Sequence, residues 1–380
     1  MLQQWQNKMK IGVPKEIKDN EARVAITPDG VTELTQSGNK VVVEVNAGIA
    51  SGFTNEQYQQ AGAVMVFTAE AWKVDLVVKV KEPQESEYQY LGSQIVFTFF
   101  HLAGVAKSLT EALIKKGTTA LAYETLEDER GRLPILAPMS AIAGNMSVLM
   151  GAYYLAQFNQ GNGMQLGTIL DKSYGKVVII GDGIVGQHAA KVASAMGAHV
   201  TIAGRNEARW LKLHKDSFPE VSFVQSTKEN ISRQIVAADL VVGAVLCRGA
   251  KAPKLITEEM LKKMQTGAVI VDVSIDQGGC FASSRPTTHS DPVYIKNGVI
   301  HYCVSNMPGA YPKASTIALS NVTLGYIQEI AENSLNGFMS DKGKIKAINV
   351  FRGKIVSVKV AEDLGMLDSY ESMANIVYTK

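Results

Sequence analysis

The chain has 380 residues, of which 46% are hydrophobic and 19% charged, with a formal net charge of +2. At ~150 residues per domain that is about two or three domains of ordinary soluble composition, enough for sizeable cores. The modest charge and the lack of any basic run argue against nucleic acid as a partner, and no apolar run reaches the ~18 residues of a membrane span.

Cys247, Cys280 and Cys303 are far apart and odd in number. They make neither a disulfide framework nor a CxxC site, which suits a reducing compartment. The six histidines include no HxxxH or HExxH pair, so no metal is expected. The residues before Met9 are polar and lack the apolar region of a signal peptide, and Met9, just before the ordered pattern begins, could serve as an alternative start.

Lys10-Ile-Gly-Val13 predicts a short strand ending at Pro14. Thr27-Pro28-Asp29-Gly30 predicts a helix start, with a hydroxyl cap, proline at the first position and an acid in the first turn. That helix stops at Gly38, and Val41–Val45 is the next strand. Thr54 caps a helix that ends near Gly62. Asp75–Lys81 and Gln94–Phe100 are further strands, the second delivering His101 at its end. A helix then runs through Leu113 to a stop at Gly117, before the strand Thr119–Tyr123. Leu136-Ala-Pro-Met-Ser140 opens a long helical run to about Gln157, which could carry the chain from one domain to another. Gly161–Gly175 reads as an irregular loop.

A strand, a tight turn and a helix start follow in Lys176-Val-Val-Ile-Ile-Gly-Asp-Gly-Ile-Val-Gly186. In a dinucleotide fingerprint Gly181 permits the turn, Gly183 lets a pyrophosphate approach the backbone, and Gly186 lets the helix pack against the strand. A glycine-rich turn without a ligand is the plainer reading of the motif alone, and the flanking strand and helix favour binding. Val177–Ile180, His199–Ala203, Val221–Val224, Leu240–Val245, Ala268–Val273 and Val299–Val304 are strand candidates, matching two mononucleotide-binding halves. Residues 313–333 predict a long helix, and the tail from Asp341 is too short for a domain, so it is expected to pack on the first one. Alternating strands and helices throughout predict parallel sheets covered on both faces.

Four side chains suggest chemistry. Arg23 is either a solvated surface residue or a fork clamping a substrate carboxylate through two parallel hydrogen bonds. Lys79 and Lys81 alternate in an apolar strand and are expected on one face. They mark either a sheet edge or, for Lys81, an ammonium in a cleft that binds a carboxylate or polarises a carbonyl. His101 is either a satisfied core histidine or a proton-transfer group at a strand's carboxyl end, where α/β sheets place ligands. Asp276, in Ile275-Asp-Gln-Gly-Gly279, is either a turn residue or a group that orients water or an amine. Asp272 is expected to be buried in a structural hydrogen bond.

Together these segments resemble the alanine dehydrogenase family. The resemblance is carried by Ile11-Gly-Val-Pro-Lys-Glu-Ile-Lys18, Arg23-Val-Ala-Ile-Thr-Pro28, Val78-Lys-Val-Lys-Glu-Pro83, Phe97-Thr-Phe-Phe-His-Leu-Ala103, Leu136-Ala-Pro-Met-Ser140, Ile275-Asp-Gln-Gly-Gly-Cys280 and Tyr302-Cys-Val-Ser-Asn-Met-Pro308, and it covers nearly the whole chain. It implies an α/β fold of two Rossmann-like domains with doubly wound parallel sheets and a cleft between them. Residues 9–138 with 311–380 would form the substrate domain, and 139–310 the dinucleotide-binding domain. The implied activity is reversible oxidative deamination of L-alanine to pyruvate and ammonia, with hydride transfer to NAD. The resemblance also implies substrate binding by Arg23 and Lys81, catalysis by His101 and Asp276, and cofactor contacts from Ser140, Asn306 and Met307. A cytoplasmic homohexamer is expected by the same resemblance.

One departure bears on the cofactor. About 20 residues beyond the first glycine an NAD-binding strand ends in Asp or Glu. Here Gly204 occupies that position and Arg205 follows, with Arg209 a turn further on. A glycine beside an arginine would accept a 2′-phosphate that an acid would repel, so NADP is favoured over NAD. The plainer alternative stacks Arg205 on adenine or leaves it in solvent. Lesser departures are the 166–174 loop, Arg248 beside the cofactor strand, and Asp182 inside the fingerprint. The rival readings are a dehydrogenase of another 2-amino acid, a transhydrogenase nucleotide-binding subunit, and a catalytically silent nucleotide-binding paralogue.

Overall fold

The computed structural model describes residues 8–214, 220–247 and 252–378. It divides into two compact units, one of Met1–Met139 with Tyr311–Lys380 and one of Ser140–Ala310. In chain order the strands are β1 (Lys10–Val13), β2 (Lys40–Glu44), β3 (Val64–Val66), β4 (Leu76–Lys81), β5 (Ile95–Phe99), β6 (Thr119–Ala122), β7 (Gly167–Ile169), β8 (Lys172–Tyr174), β9 (Lys176–Ile180), β10 (His199–Gly204), β11 (Ser222–Gln225), β12 (Leu240–Gly243), β13 (Val269–Asp272), β14 (Val293–Lys296), β15 (Val299–Tyr302), β16 (Ile348–Phe351) and β17 (Lys354–Ile355).

The first unit holds an eight-stranded sheet in the order β17-β16-β6-β5-β4-β1-β2-β3. Strands β1 to β6 are mutually parallel, and β16 and β17 extend the β6 edge antiparallel. The tail thus completes this sheet, and its Val350, Ile355 and Val360 join Trp72, Val77, Val96 and Leu113 in one buried cluster. The helix Pro28–Gln36 starts as its sequence predicts: the Thr27 side chain accepts from the Gly30 amide, with proline in the first turn.

The second unit holds a seven-stranded sheet in the order β11-β10-β9-β12-β13-β15-β14. All pairs are parallel except β14 with β15. Along β9, Val177 and Ile179 enter one buried cluster while Val178 and Ile180 enter another. Both faces are therefore covered, which is why this strand reads as an unbroken apolar run.

The first through sixth parallel strands of each unit follow the same spatial order, 3-2-1-4-5-6, with antiparallel additions at the sixth strand's edge. In each, the strand order reverses between the first and fourth strands, and ligands of such sheets bind outside the strands' carboxyl ends at that reversal.

Several segments differ from their sequence reading. Gly161–Gly175 is not all loop: β7 and β8 form a hairpin there, turning at Leu170 with φ +53. Its strands are short and largely exposed, so no apolar alternation announces them. Strand β14 precedes the expected Val299 strand and returns through Asn297-Gly298, both with positive φ. Asn-Gly is a strong hairpin signal because a type I′ turn requires φ > 0 at both central residues.

Candidate active site

In the first unit the switch lies where β1 and β4 end. The chain leaves β1 at Val13 and does not enter a helix until Pro28. The intervening segment carries charge into the interior. Arg23 is 2% exposed, which overturns its solvated-surface alternative. Its Nε donates to Glu21 Oε1 at 2.6 Å and its Nη2 to Glu21 Oε2 at 2.5 Å, while Nη1 faces Met139 Sδ at 3.2 Å. The parallel two-bond grip expected on a substrate carboxylate is therefore made here on Glu21. Burial works against the Glu21 charge, but its hydrogen bonds to Arg23 and the positive charges of Arg23 and Lys81 outweigh it and draw its pKa down to about 2. Glu21 thus brings Arg23 and Lys81 into one electrostatic neighbourhood.

The two lysines of β4 are not equivalent. Lys79 is wholly buried between Glu87, 2.9 Å away, and Glu16, 3.2 Å away. Burial alone would depress it, yet those two carboxylates raise it above the ordinary lysine range. Lys81 is half-buried at the strand's end. Between β4 and β5 the register shifts: Val78 lies opposite Phe97, but Lys81 lies opposite Phe99. This bulge breaks the two-residue alternation on which the same-face expectation rests. Lys18 Nζ also meets Glu82 Oε1 at 2.5 Å, tying the segment after β1 to the end of β4.

His101 is not a core histidine; its side chain is half exposed. It lies two residues past β5 in the left-handed region, with φ +46. Its amide donates to Glu124 Oε1 at 2.7 Å, the Phe100 amide donates to the other oxygen, and its ring stacks on Phe99. A carboxylate thus caps the strand end and holds a backbone conformation uncommon for a non-glycine residue.

In the second unit the switch lies between β9 and β12, and the glycines stand there. Gly181 turns with φ +115 and faces Ala244 just past β12 so closely that a Cβ would strike its carbonyl. Gly183 is the N-cap of the helix Ile184–Met196, and neither a side-chain cap nor an acid occupies that helix start. Around Gly183 a Cβ would meet open space, whereas at Gly186 it would run into the Gly181 carbonyl. The third glycine is therefore a packing requirement and the second an opening beside uncapped amides.

Gly204 ends β10, and Arg205 after it is exposed. A Cβ on Gly204 would press on the Phe223 ring, which stacks on Trp210 at 6.0 Å. Asp276 is exposed on the single turn Val273–Gln277 beyond β13. That turn is latched to the loop after β12: the Ser274 hydroxyl accepts from the Val245 amide, and the Gln277 amide side chain brackets Cys247 on both backbone sides. Asp272 is buried and accepts from the Ser274 and Cys280 amides and the Ser284 hydroxyl, and burial raises its pKa. Ser140 is half-buried in the helix Leu136–Leu155. Asn306 has φ +58, and Met307 is in the unit's core. Arg248 and the Arg209 side chain lie outside the described residues.

The structure thus gathers Arg23 and Lys81 in the first unit, and Gly181, Gly183 and Gly186 in the second. Sequence reasoning missed Glu21, Glu16 and Glu124, the carboxylates that meet Arg23, Lys79 and the His101 amide. An acid two residues before an arginine was the one available sign. Among the described residues no three His, Cys, Asp or Glu side chains are grouped to hold a metal ion, and no helix is long and apolar enough to cross a membrane.

Comparison with known proteins agrees with this architecture. Residues 12–143 match the family model "Alanine dehydrogenase/PNT, N-terminal domain" and residues 147–358 match "Alanine dehydrogenase/PNT, C-terminal domain". An alanine dehydrogenase of Staphylococcus epidermidis is 47% identical over 358 residues, spanning 93% of this chain and 96% of the relative. Alanine dehydrogenase 2 of Staphylococcus aureus is 46% identical over 374 residues, 97% of this chain and all of the relative. The solved structure of an L-alanine dehydrogenase superposes with a TM-score of 0.90 at 43% identity, covering 94% of this chain and 100% of that one. A transhydrogenase from Sinorhizobium meliloti, 24% identical with a TM-score of 0.79, shares the fold. On the family models and these full-length relatives, the chain belongs to the alanine dehydrogenase/PNT family.

Proposed function

We propose that this chain is an alanine dehydrogenase that uses NADP(H) in preference to NAD(H). It interconverts L-alanine with pyruvate and ammonia, with residues 139–310 holding the nicotinamide cofactor and the remainder of the chain the substrate. What carries the reading is the near-full-length likeness to alanine dehydrogenases, joined to the buried Arg23–Glu21 pair and the half-buried Lys81 beside it at the first unit's switch point.

The cofactor supplies hydride acceptance when bound. The residues suit it: the amides at the start of Ile184–Met196 lack a side-chain cap, and Gly183 leaves room for a pyrophosphate. Ser140, Asn306 and Met307 complete the cofactor contacts. Arg23 binds the substrate carboxylate while Glu21 holds its Nε–Nη2 edge in place. Lys81 binds the carboxylate or polarises the carbonyl oxygen. After hydride leaves the alanine Cα, water adds to the resulting iminium and ammonia departs. His101 exchanges a proton with the oxygen at that carbon, and Asp276 orients and deprotonates the attacking water. Holding the reacting atoms at contact distance supplies much of the acceleration.

Gly204 and Arg205 support the NADP preference. An acid at residue 204 would be crowded by Phe223 as well as repelling a 2′-phosphate, and Arg205 stands ready for a charge-assisted bond worth about 1.5–3 kcal/mol. The chain acts as a cytoplasmic homohexamer, which size-exclusion chromatography with light scattering checks.

Steady-state amination of pyruvate with ammonium, run with NADPH and with NADH, tests the proposal. Turnover with a kcat/KM for NADPH at least tenfold above that for NADH is expected, and Arg205→Ala should erase most of the difference. A strong NADH preference sinks the cofactor assignment alone. Absence of pyruvate turnover, or a His101→Ala enzyme as fast as wild type, sinks the activity.

A further inference from the structure

We infer that Glu16, together with Thr98, is a positioning residue for Lys81: it holds open the β4 bulge that aims the lysine. The inference rests on the substrate-binding role proposed for Lys81. In a regular strand successive amides point to opposite sides. At the end of β4 the amides of Val80 and Lys81 instead donate to a single oxygen, Glu16 Oε1, at 2.6 and 3.3 Å. Strand β1, the neighbour on that side, pairs with β4 only through Ile11–Leu76 and Gly12–Val77, so it offers these amides no ladder partner. The carboxylate of Glu16, just past the end of β1, replaces the missing ladder. On the opposite side the Thr98 hydroxyl, buried in β5, donates to the Lys81 carbonyl at 2.9 Å. Lys81 is thereby gripped at both its backbone amide and its carbonyl, within one residue of the register shift.

Glu16 is itself almost fully buried, and its other oxygen lies 3.2 Å from the Lys79 ammonium. Nothing about it requires contact with a ligand. Its chemistry is the satisfaction of two amides that the bulge orphans. Without that acceptor, restoring the ladder requires β4 to lose the extra residue, and a one-residue slip turns a side chain to the opposite face.

Pyruvate and cofactor KM values for Glu16→Gln, Thr98→Val, Glu87→Gln and Lys81→Met test the inference at saturating ammonium. Lys81→Met should raise the pyruvate KM and leave the cofactor KM alone. Thr98→Val, which keeps the packing shape, and Glu16→Gln, which weakens the acceptor, should each raise the pyruvate KM about three- to tenfold. Combined with Lys81→Met, neither should add more than about twofold, because they act through the lysine. Glu87→Gln removes the second carboxylate from Lys79 without touching the bulge, so it should lower the melting temperature with the pyruvate KM within about twofold of wild type. If Glu16→Gln does not fold, Thr98→Val decides. The inference falls if Lys81→Met raises the pyruvate KM while Thr98→Val and Glu16→Gln leave it unchanged. It also falls if their effects add in full to Lys81→Met, or if Glu87→Gln gives the same KM shift. A Lys81→Met enzyme with unaltered pyruvate KM removes the substrate role of Lys81 on which the inference stands.

Discussion

In both units the first and fourth parallel strands lie side by side, and in both the chain leaves the first strand into the place where such sheets receive ligands. The two units differ in the stretch just beyond that strand. In the second unit β9 passes through three glycines directly into the helix Ile184–Met196. Backbone forms the site there: amides without a side-chain cap, a turn at Gly181, an opening at Gly183. In the first unit β1 passes into a stretch that delays the helix to Pro28 and carries Glu16, Lys18, Glu21 and Arg23. Side chains form the site there, several of them buried and paired. One topology thus yields a turn of uncapped backbone amides in one unit and a cluster of paired charges in the other, the features to which the proposal assigns a pyrophosphate and a small carboxylate. A helix start offers a diffuse positive end. A buried arginine offers a directional one, and it needs a counter-charge to be stable when no substrate is bound.

The largest test of that contrast is Arg23→Ala. It leaves the Glu21 carboxylate buried without its main partner, and breaking a buried pair in this way costs about 3–5 kcal/mol. Chemical denaturation should show that loss in the first unit, and pyruvate turnover should collapse while nucleotide titration of the folded protein is unchanged. Equal loss of nucleotide affinity would break the proposed division of labour between the units.

The same pair sets an acid limit. Glu21 sits at about 2 in the folded chain against an ordinary 4.5, so between those values the folded chain binds fewer protons than the unfolded one. Its contribution to stability is complete above about pH 4.5 and is lost as pH falls through about 2. Glu21→Gln cannot titrate. It should be less stable than wild type at neutral pH, with the two curves converging as pH falls across that window in denaturation at fixed ionic strength. Parallel curves would place the acid sensitivity elsewhere.

These predictions also mark where the sequence was legible. Local signals carried through: Thr27-Pro28 opens its helix, Gly117 closes the helix Lys107–Lys116, and the glycine fingerprint lies between strand and helix. The apolar runs show which strands are buried on both faces. The partners of the candidate site residues were far less legible. Glu16 meets the amide of Val80, 64 residues away, and no pattern in either segment points to the other. Arg23 reads either as a surface arginine or as a carboxylate clamp because nothing local distinguishes a buried paired guanidinium from a solvated one. The bulge at Lys81 is invisible because the apolar residues around it fit a regular strand equally well. The Asn297-Gly298 turn was legible, but the stronger apolar run after it masks the short strand before it.

In the glycine unit, Gly186→Ala probes packing. Its Cβ would meet the Gly181 carbonyl, a backbone atom with little freedom to retreat. Overpacking of this kind costs about 1–3 kcal/mol, and it should move the helix start off the turn and weaken nucleotide binding. Thermal unfolding with and without nucleotide checks both. A variant as stable as wild type would show that the strand and helix pack less closely than the structure has them.

Gly183→Ser has the smallest expected effect on stability and separates two reasons for a glycine. The backbone there is extended, at φ −77 and ψ −169, a conformation serine adopts, and a Cβ meets nothing nearby. Neither steric crowding nor backbone strain therefore demands glycine. Serine at an N-cap accepts from a first-turn amide and should stabilise the protein without nucleotide by a few tenths of a kcal/mol. That same hydroxyl competes for amides the pyrophosphate would use and places atoms in the space it would enter. Nucleotide affinity should fall about tenfold by fluorescence titration while the residues proposed to bind pyruvate in the other unit are untouched. A gain in stability with no loss of affinity would mean that the phosphates are held elsewhere, and that the glycine cradle is a feature of the turn alone.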